Sequence, residues 1–264
     1  MIHQIMRDKS VKLFIILAGL FSTTAIVAEL IGGKIFSLEK TIGIEPITFT
    51  LLGEQGLSFN LTAGVLLWPI VFVMTDIINE YYGMIGVRYL SYLTVALISI
   101  AFVSTYFAIR LTPADWWVVA FEKDGVPNMQ LAFEQIFGQG MWIIIASIIA
   151  FLIGQLLDVF IFHKIKQFTG EKMIWLRATG STLISQLIDS LVVIFIAFKL
   201  GQGWSWAKVL DIALVGYFYK FFVAILVTPL IYIIHEWIER YLGKPLAEKM
   251  KKKCNGIILP EMTH

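Results

Sequence analysis

Charge is scarce in this chain. Only 15% of its 264 residues are Asp, Glu, Lys or Arg, against roughly 25% in soluble domains. Cysteine is scarcer still: Cys254, in a basic C-terminal stretch, is the single one, which excludes an intramolecular disulfide and a Cys-based zinc site. The 4 histidines keep to the margins of the apolar runs, His163 at the edge of one. Imidazole is the usual ligand for transition metals, so transport of such ions is disfavoured and no metal or cofactor is expected. The pattern G-x-x-x-x-G-K-[ST] does not occur, so any use of ATP would require a separate module. H-E-x-x-H and G-x-S-x-G are also missing, which removes the common signatures of an intramembrane hydrolase. Basic residues gather at the ends of apolar runs without interleaved aromatics, unlike a nucleic-acid surface.

What remains is apolar. Hydrophobic residues make up 58% of the chain, and the mean hydropathy is +0.79. The apolar residues fall in repeated runs of about 20, the length needed to cross a hydrocarbon core of ~30 Å. Six spans are predicted, at residues 12–36, 61–82, 87–109, 141–163, 178–198 and 209–236. The fold class is therefore all-α: a polytopic membrane protein of six transmembrane helices. Its parts are a cytoplasmic N-terminus (1–11), a transmembrane domain (12–236) and a basic cytoplasmic tail (237–264).

The first apolar stretch is too long for a signal-peptide core and reads as an uncleaved helix. The connector 37–60 has an apolar centre, Ile47 to Leu52, that suits a short re-entrant piece. The loop 110–140 carries Trp116, Trp117 and Phe121, residues that favour the membrane interface. With the N-terminus inside, 14 Lys and Arg lie on the cytoplasmic side and 6 on the other. That bias satisfies the positive-inside rule for two cytoplasmic termini in a bacterial inner membrane.

Against this background the interior polar residues stand out. Asp76, Asn79 and Glu80, in T-D-I-I-N-E-Y-Y-G (Thr75 to Gly83), lie at i, i+3 and i+4 and so share one helix face. An ionised side chain at the bilayer centre costs about 2.5–3.5 kcal/mol on insertion scales, so such residues mark a site that binds or moves something polar. The fourth span adds Gln155 and Asp158. The fifth adds Ser181, Ser185, Gln186 and Asp189, and its I-S-Q-L-I-D echoes I-G-Q-L-L-D (Ile153 to Asp158) in the fourth. In the sixth, Tyr217 and Lys220 share a face. Glu29 and Lys34 in the first span, with Arg177 and Lys220, are candidate charge partners. Interior carboxylates and carboxamides outnumber the interior lysine, which suits a neutral or cationic heterocycle rich in N–H donors.

Together, T-D-I-I-N-E-Y-Y-G, the block R-A-T-G-S-T-L-I-S-Q-L-I-D-S (Arg177 to Ser190) and Q-L-L-D before a basic loop resemble the queuosine precursor transporter family, a vitamin-uptake-transporter-like group. The resemblance covers roughly residues 12–236. It implies uptake of 7-deazaguanines such as preQ0 and preQ1, without nucleic acid as a partner. It also implies a compact bundle similar to the substrate-binding component of energy-coupling-factor transporters. On this reading Asp76, Asn79, Glu80, Gln155, Asp158, Ser185, Gln186 and Asp189 contact the base. The partners are then that small molecule and the lipid bilayer, with a homodimer or an ATPase module left open.

Overall fold

A computed structural model describes residues 8–51, 54–138, 141–169, 173–201 and 203–254. Helix α1 (Lys9–Ile31) begins where the Asp8 carboxylate accepts the N–H groups of Ser10 and Val11, satisfying donors that every helix start leaves open. Leu13, Leu17, Phe21, Ala25 and Ala28 line its buried face, at the three- and four-residue spacing that keeps side chains on one side. Ile15, Leu20 and Val27 point outward.

The chain then forms a small cap instead of a longer first helix. Strand β1 (Ile35–Ser37) pairs antiparallel with β4 (Asn60–Thr62), and β2 (Phe49–Leu51) pairs with β3 (Glu54–Leu57) around a short helix, α2 (Leu38–Thr41). Of the expected re-entrant piece at 47–52, Ile47 and Thr48 carry no regular structure, Phe49–Leu51 is strand, and Leu52 lies outside the described residues. Glu39 ties the cap together, accepting the Phe59 N–H at 2.9 Å and the Ser37 hydroxyl at 3.0 Å. Residues 35–36 and 61–62 belong to this cap, so the first and second predicted spans are each shorter than the apolar run suggests.

A single 3-10 turn (Ala63–Leu66) leads into α3 (Trp68–Ile109), 42 residues long. At 1.5 Å per residue, a straight helix of that length would be about 63 Å, twice a hydrocarbon core. It is not straight. Gly83 has φ 69° and ψ −174°, a conformation that is essentially glycine-only. The contacts of α1 reveal the course on either side. Gly64 lies against Ala28 and Gly32 near the far end of α1. Tyr82 touches Phe14, and its hydroxyl donates to the Ser10 carbonyl at the near end. The Thr94 and Ser22 hydroxyls then pair at 2.8 Å, back toward the middle. The chain descends from Gly64, reverses at Gly83 and returns.

Beyond it lie α4 (Asp115–Val118), α5 (Met129–Phe137), α6 (Met141–Thr169), α7 (Ile174–Ile194), α8 (Trp206–Leu242) and α9 (Lys244–Cys254). Helix α7 continues as a π-helical turn, Phe195–Leu200. Among the described residues, five helices are long and apolar enough to cross a membrane: α1, α3, α6, α7 with its π turn, and α8. That is one fewer than six because the second and third predicted spans form one helical element, bent at Gly83. Helix α8 runs six residues past the predicted end at 236 and carries Pro229 inside it.

The basic segment is helical as far as Cys254. In α9, Ala247 and Lys251 are buried, Lys251 meets Glu239 at 2.5 Å, and Cys254 packs against Gly83. The helix closes the end of the bundle where α3 turns back.

Candidate functional site

The polar residues form a connected layer across three helices. Asp76, Asn79 and Glu80, on the arm of α3 before Gly83, are all buried, and their shared face meets α6 and α7. On α6, Gln155, Asp158, Phe162 and Lys166 are buried in turn. Their spacing of three, four and four residues makes one continuous stripe. On α7, Arg177, Ser181, Thr182, Ser185, Gln186 and Ser190 do the same.

At one end of the layer is a dense ionic knot. Glu80 sits between Lys166 at 2.9 Å and Arg177 at 2.8 Å, one cation on each oxygen. Arg177 has no solvent exposure, and Lys166 only 4%. A buried charge of this kind survives only when its partners are held in good geometry. Phe162 helps, its ring centroid lying 5.7 Å from the Arg177 guanidinium. Beside the knot, Asn79 Oδ1 meets His163 Nε2 at 2.8 Å, while the Tyr81 hydroxyl and His235 Nδ1 lie 3.1 Å apart.

Toward the other end the bonding thins out. The Thr75 hydroxyl donates to Gln155 Oε1 at 2.9 Å. Asp158 Oδ1 accepts from Thr182 at 3.3 Å and from Ser185 at 3.2 Å. Yet Asp76 Oδ1, Asn79 Nδ2, Gln155 Nε2, Asp158 Oδ2 and both amide atoms of Gln186 are buried with no hydrogen-bond partner among the described residues. A native interior tolerates few such atoms, since each costs about 1–3 kcal/mol when desolvated and unbonded. Six of them in one layer mark where a polar molecule would be held.

A cavity reaches this layer. It has a volume of about 40 Å³ and runs between α3, α7 and α8. Asp76, Thr182 and Gln186 supply its polar wall, Trp68, Phe72 and Tyr219 its aromatic wall, and Lys220 one side. Trp68 and Phe72 lie 6.0 Å apart between centroids, their planes inclined by 29°. Flat apolar faces opposite a few convergent polar groups are the usual make-up of a small-molecule site.

The remaining sequence-predicted residues lie outside this layer. Lys220 is ion-paired with Asp189 at 2.6 Å, the two linking α8 to α7. Tyr217 is half-buried with its ring against Phe221. Glu29 is buried and accepts from the Ser147 hydroxyl across to α6. Lys34 is exposed beneath the cap, its carbonyl accepting the Ala63 N–H at 2.8 Å.

Sequence reasoning missed Lys166, His163, Thr75 and Thr182. Lys166 was counted with the basic boundary residues. Its place on the stripe that begins at Gln155 and Asp158 was the signal that could have found it.

The comparisons with known proteins meet this geometry. Residues 62–234 match the family model described as "Putative vitamin uptake transporter". The chain belongs to that family. The matched region holds the whole polar layer and stops short of α9. Relatives include the "Probable queuosine precursor transporter" of Bacillus subtilis (strain 168), 32% identical over 184 residues, which are 68% of this chain and 75% of that protein. The "Queuosine precursor transporter" of Escherichia coli (strain K12) is 28% identical over 170 residues, 64% of this chain and 70% of that one. The "Probable queuosine precursor transporter" of Haemophilus influenzae (strain ATCC 51907 / DSM 11121 / KW20 / Rd) is 25% identical over 212 residues, 77% and 81% of the two chains. No solved structure matches.

Proposed function

We propose that this vitamin-uptake-family transporter carries a queuosine precursor, a 7-deazaguanine base, across the cytoplasmic membrane. The observation that carries this reading is the set of unbonded buried atoms beside an aromatic cavity. Asp76 Oδ1, Asp158 Oδ2 and Gln186 Oε1 offer acceptors, while Asn79 Nδ2, Gln155 Nε2 and Gln186 Nε2 offer donors. A guanine-like edge presents paired N–H donors beside a carbonyl acceptor, and it is flat enough to lie against Trp68, Phe72 and Tyr219. Binding would supply bonds that these atoms lack among the described residues, and a carboxylate accepting paired N–H groups makes short, strong contacts. The names of the relatives agree with this chemistry.

Within the layer the roles divide. Asp76, Gln155, Asp158 and Gln186, with Asn79 and Ser185 beside them, contact the base. Glu80 is committed to Lys166 and Arg177 and holds the three helices in register. The chain crosses the membrane six times, because α3 reverses at Gly83 and contributes two crossings. The contacts of its two arms with α1 support this. Both described ends then lie on one side, where Lys9 Nζ donates to the Tyr241 carbonyl at 2.9 Å. The excess of Lys and Arg assigns that side to the cytoplasm.

The test is uptake of radiolabelled preQ0 and preQ1 into cells unable to synthesise queuosine. Saturable uptake that depends on this protein, competed by the other precursor and not by adenine, is the expected result. Uptake equal to that of cells without the protein, for both bases, would overturn the reading.

A further inference from the structure

Two further cavities lie on the cap side of the polar layer. One, of about 310 Å³, is bounded by Gly32 at the far end of α1, by Ile35 and Thr62 of β1 and β4, by Phe151 of α6 and by Asp189 of α7. The other, of about 360 Å³, lies between Gly56 and Asn60 of the cap, Ser190 of α7 and Gly216 of α8. Both reach the volume of sites that hold small molecules, roughly 300–1,000 Å³. The inner cavity, at about 40 Å³, does not, so it must widen before a bicyclic base can occupy it. Val65 and Lys220 line all three cavities.

The inner cavity lies along the seam between α7 and α8, and a polar link spans that seam at each end. Toward α9 the Thr179 and Thr228 hydroxyls are 2.7 Å apart. Toward the cap Lys220 Nζ donates to Asp189 Oδ2 at 2.6 Å. The two partners of this ion pair are held differently. Asp189 is backed by α6, where a Cβ on Gly154 would lie 3.5 Å from the Asp189 Cβ. A side chain on a helix leans over the turn before it, which for Lys220 holds Gly216. A Cβ there would meet nothing within 4 Å, so the lysine has room to swing into the second outer cavity. Asp189 and Lys220 are also 20% and 19% exposed, against 4% or less for the three groups of the Glu80 knot. In a partly wetted pair water can replace a lost partner, so the pair parts at little cost. Parting the dry knot would strand buried charges.

We infer that Asp189 and Lys220 are the gate between the outer cavities and the polar layer, with the lysine as its moving part. The inference rests on the reading of that layer as the substrate site, and it names two residues that act on passage rather than on recognition of the ring. While the pair is closed, the base is held in the cap-side cavities. When Lys220 swings toward Gly216, the seam opens and the base reaches Asp76 and Gln186.

The experiment follows the labelling of a thiol placed in the inner cavity, Gln186→Cys. A membrane-impermeant methanethiosulfonate is added outside intact cells, the side to which the topology assigns the cap. Cys254→Ser removes the one native cysteine. The labelling rate scales with the fraction of molecules whose seam is open, so adding Lys220→Gln or Asp189→Asn should raise it about tenfold. Lys220→Arg keeps a charged partner for Asp189 and should leave the rate within about twofold. Ser22→Cys, buried between α1 and α3, reports general loosening and should stay slow throughout. Equal rates at Gln186→Cys with and without the pair would overturn the inference. So would a rise in Lys220→Arg as large as in Lys220→Gln, or an equal rise at Ser22→Cys. Two independent single variants keep the test decisive if one of them fails to fold. These rates need no substrate. Absence of preQ0 and preQ1 uptake by the wild type would therefore remove the transport reading, while the labelling alone decides the gate.

Discussion

Glu80 and Asp76 are one turn apart on the same face of α3 and both are buried, yet they are bonded in opposite ways. Each oxygen of Glu80 has a cation within 2.9 Å. Asp76 Oδ1 has no partner among the described residues and faces a cavity. Residues that look alike in sequence thus divide into a saturated anchor and an unbonded group that, on the proposed function, binds the substrate. The anchor is saturated because its task is finished when the protein folds. On the proposed function the unbonded group is one whose partner is the substrate, and a site complementary to a ligand carries that cost until it binds.

The largest expected effect breaks the anchor. Arg177→Met leaves Glu80 buried with one cation fewer, and it should lower stability by about 3–5 kcal/mol. Denaturant unfolding in detergent would measure the loss. A variant as stable as the wild type would mean that the knot contributes nothing to the fold. Asp76→Asn probes the other side of the comparison. It keeps the shape but replaces one carboxylate oxygen with an amide N–H, so an acceptor becomes a donor, and substrate affinity should fall about tenfold to a hundredfold, the equivalent of ~1.5–3 kcal/mol. Its unfolding midpoint should stay close to the wild type.

How much of this division could be read in the sequence follows from what periodicity encodes. The common face of Asp76, Asn79 and Glu80 is a matter of spacing alone and was legible. So were the helical spans, since lipid demands long apolar runs. The partners were not legible, because they come from other helices. Lys166 stands beside Lys164 in what reads as a boundary cluster, and only the packing of α6 against α3 turns one of the two inward: Lys164 is exposed and Lys166 buried. The strands at 35–37 and 60–62 were hidden for the opposite reason, since their apolar residues continue the hydropathy of adjacent spans. Gly83 was visible as the end of a motif. Its role as the point of reversal in α3 depends on a backbone conformation that no hydropathy pattern records.

Two smaller effects sharpen the contrast. Gly83→Ala places a Cβ 3.5 Å from Cys254 Cβ at a φ of 69°. The contact is ordinary but the backbone is not, so a loss of about 1–3 kcal/mol is expected from strain, read from the shift in unfolding midpoint. The smallest effect on stability belongs to Gln186→Leu. Both amide atoms of Gln186 are unbonded in the layer, so replacing them with an apolar group of similar size should leave stability unchanged or raise it slightly. Uptake should nevertheless fall, and a stable variant with full uptake would remove Gln186 from the site.

The most direct measurement places Asp76→Asn and Glu80→Gln side by side and records, for each, uptake of labelled preQ1 per folded molecule together with the unfolding midpoint. The account predicts that Asp76→Asn folds like the wild type and loses uptake, while Glu80→Gln is destabilised and transports in proportion to what remains folded. Wild-type uptake by Asp76→Asn, or a stable Glu80→Gln that cannot transport, would contradict the division of roles.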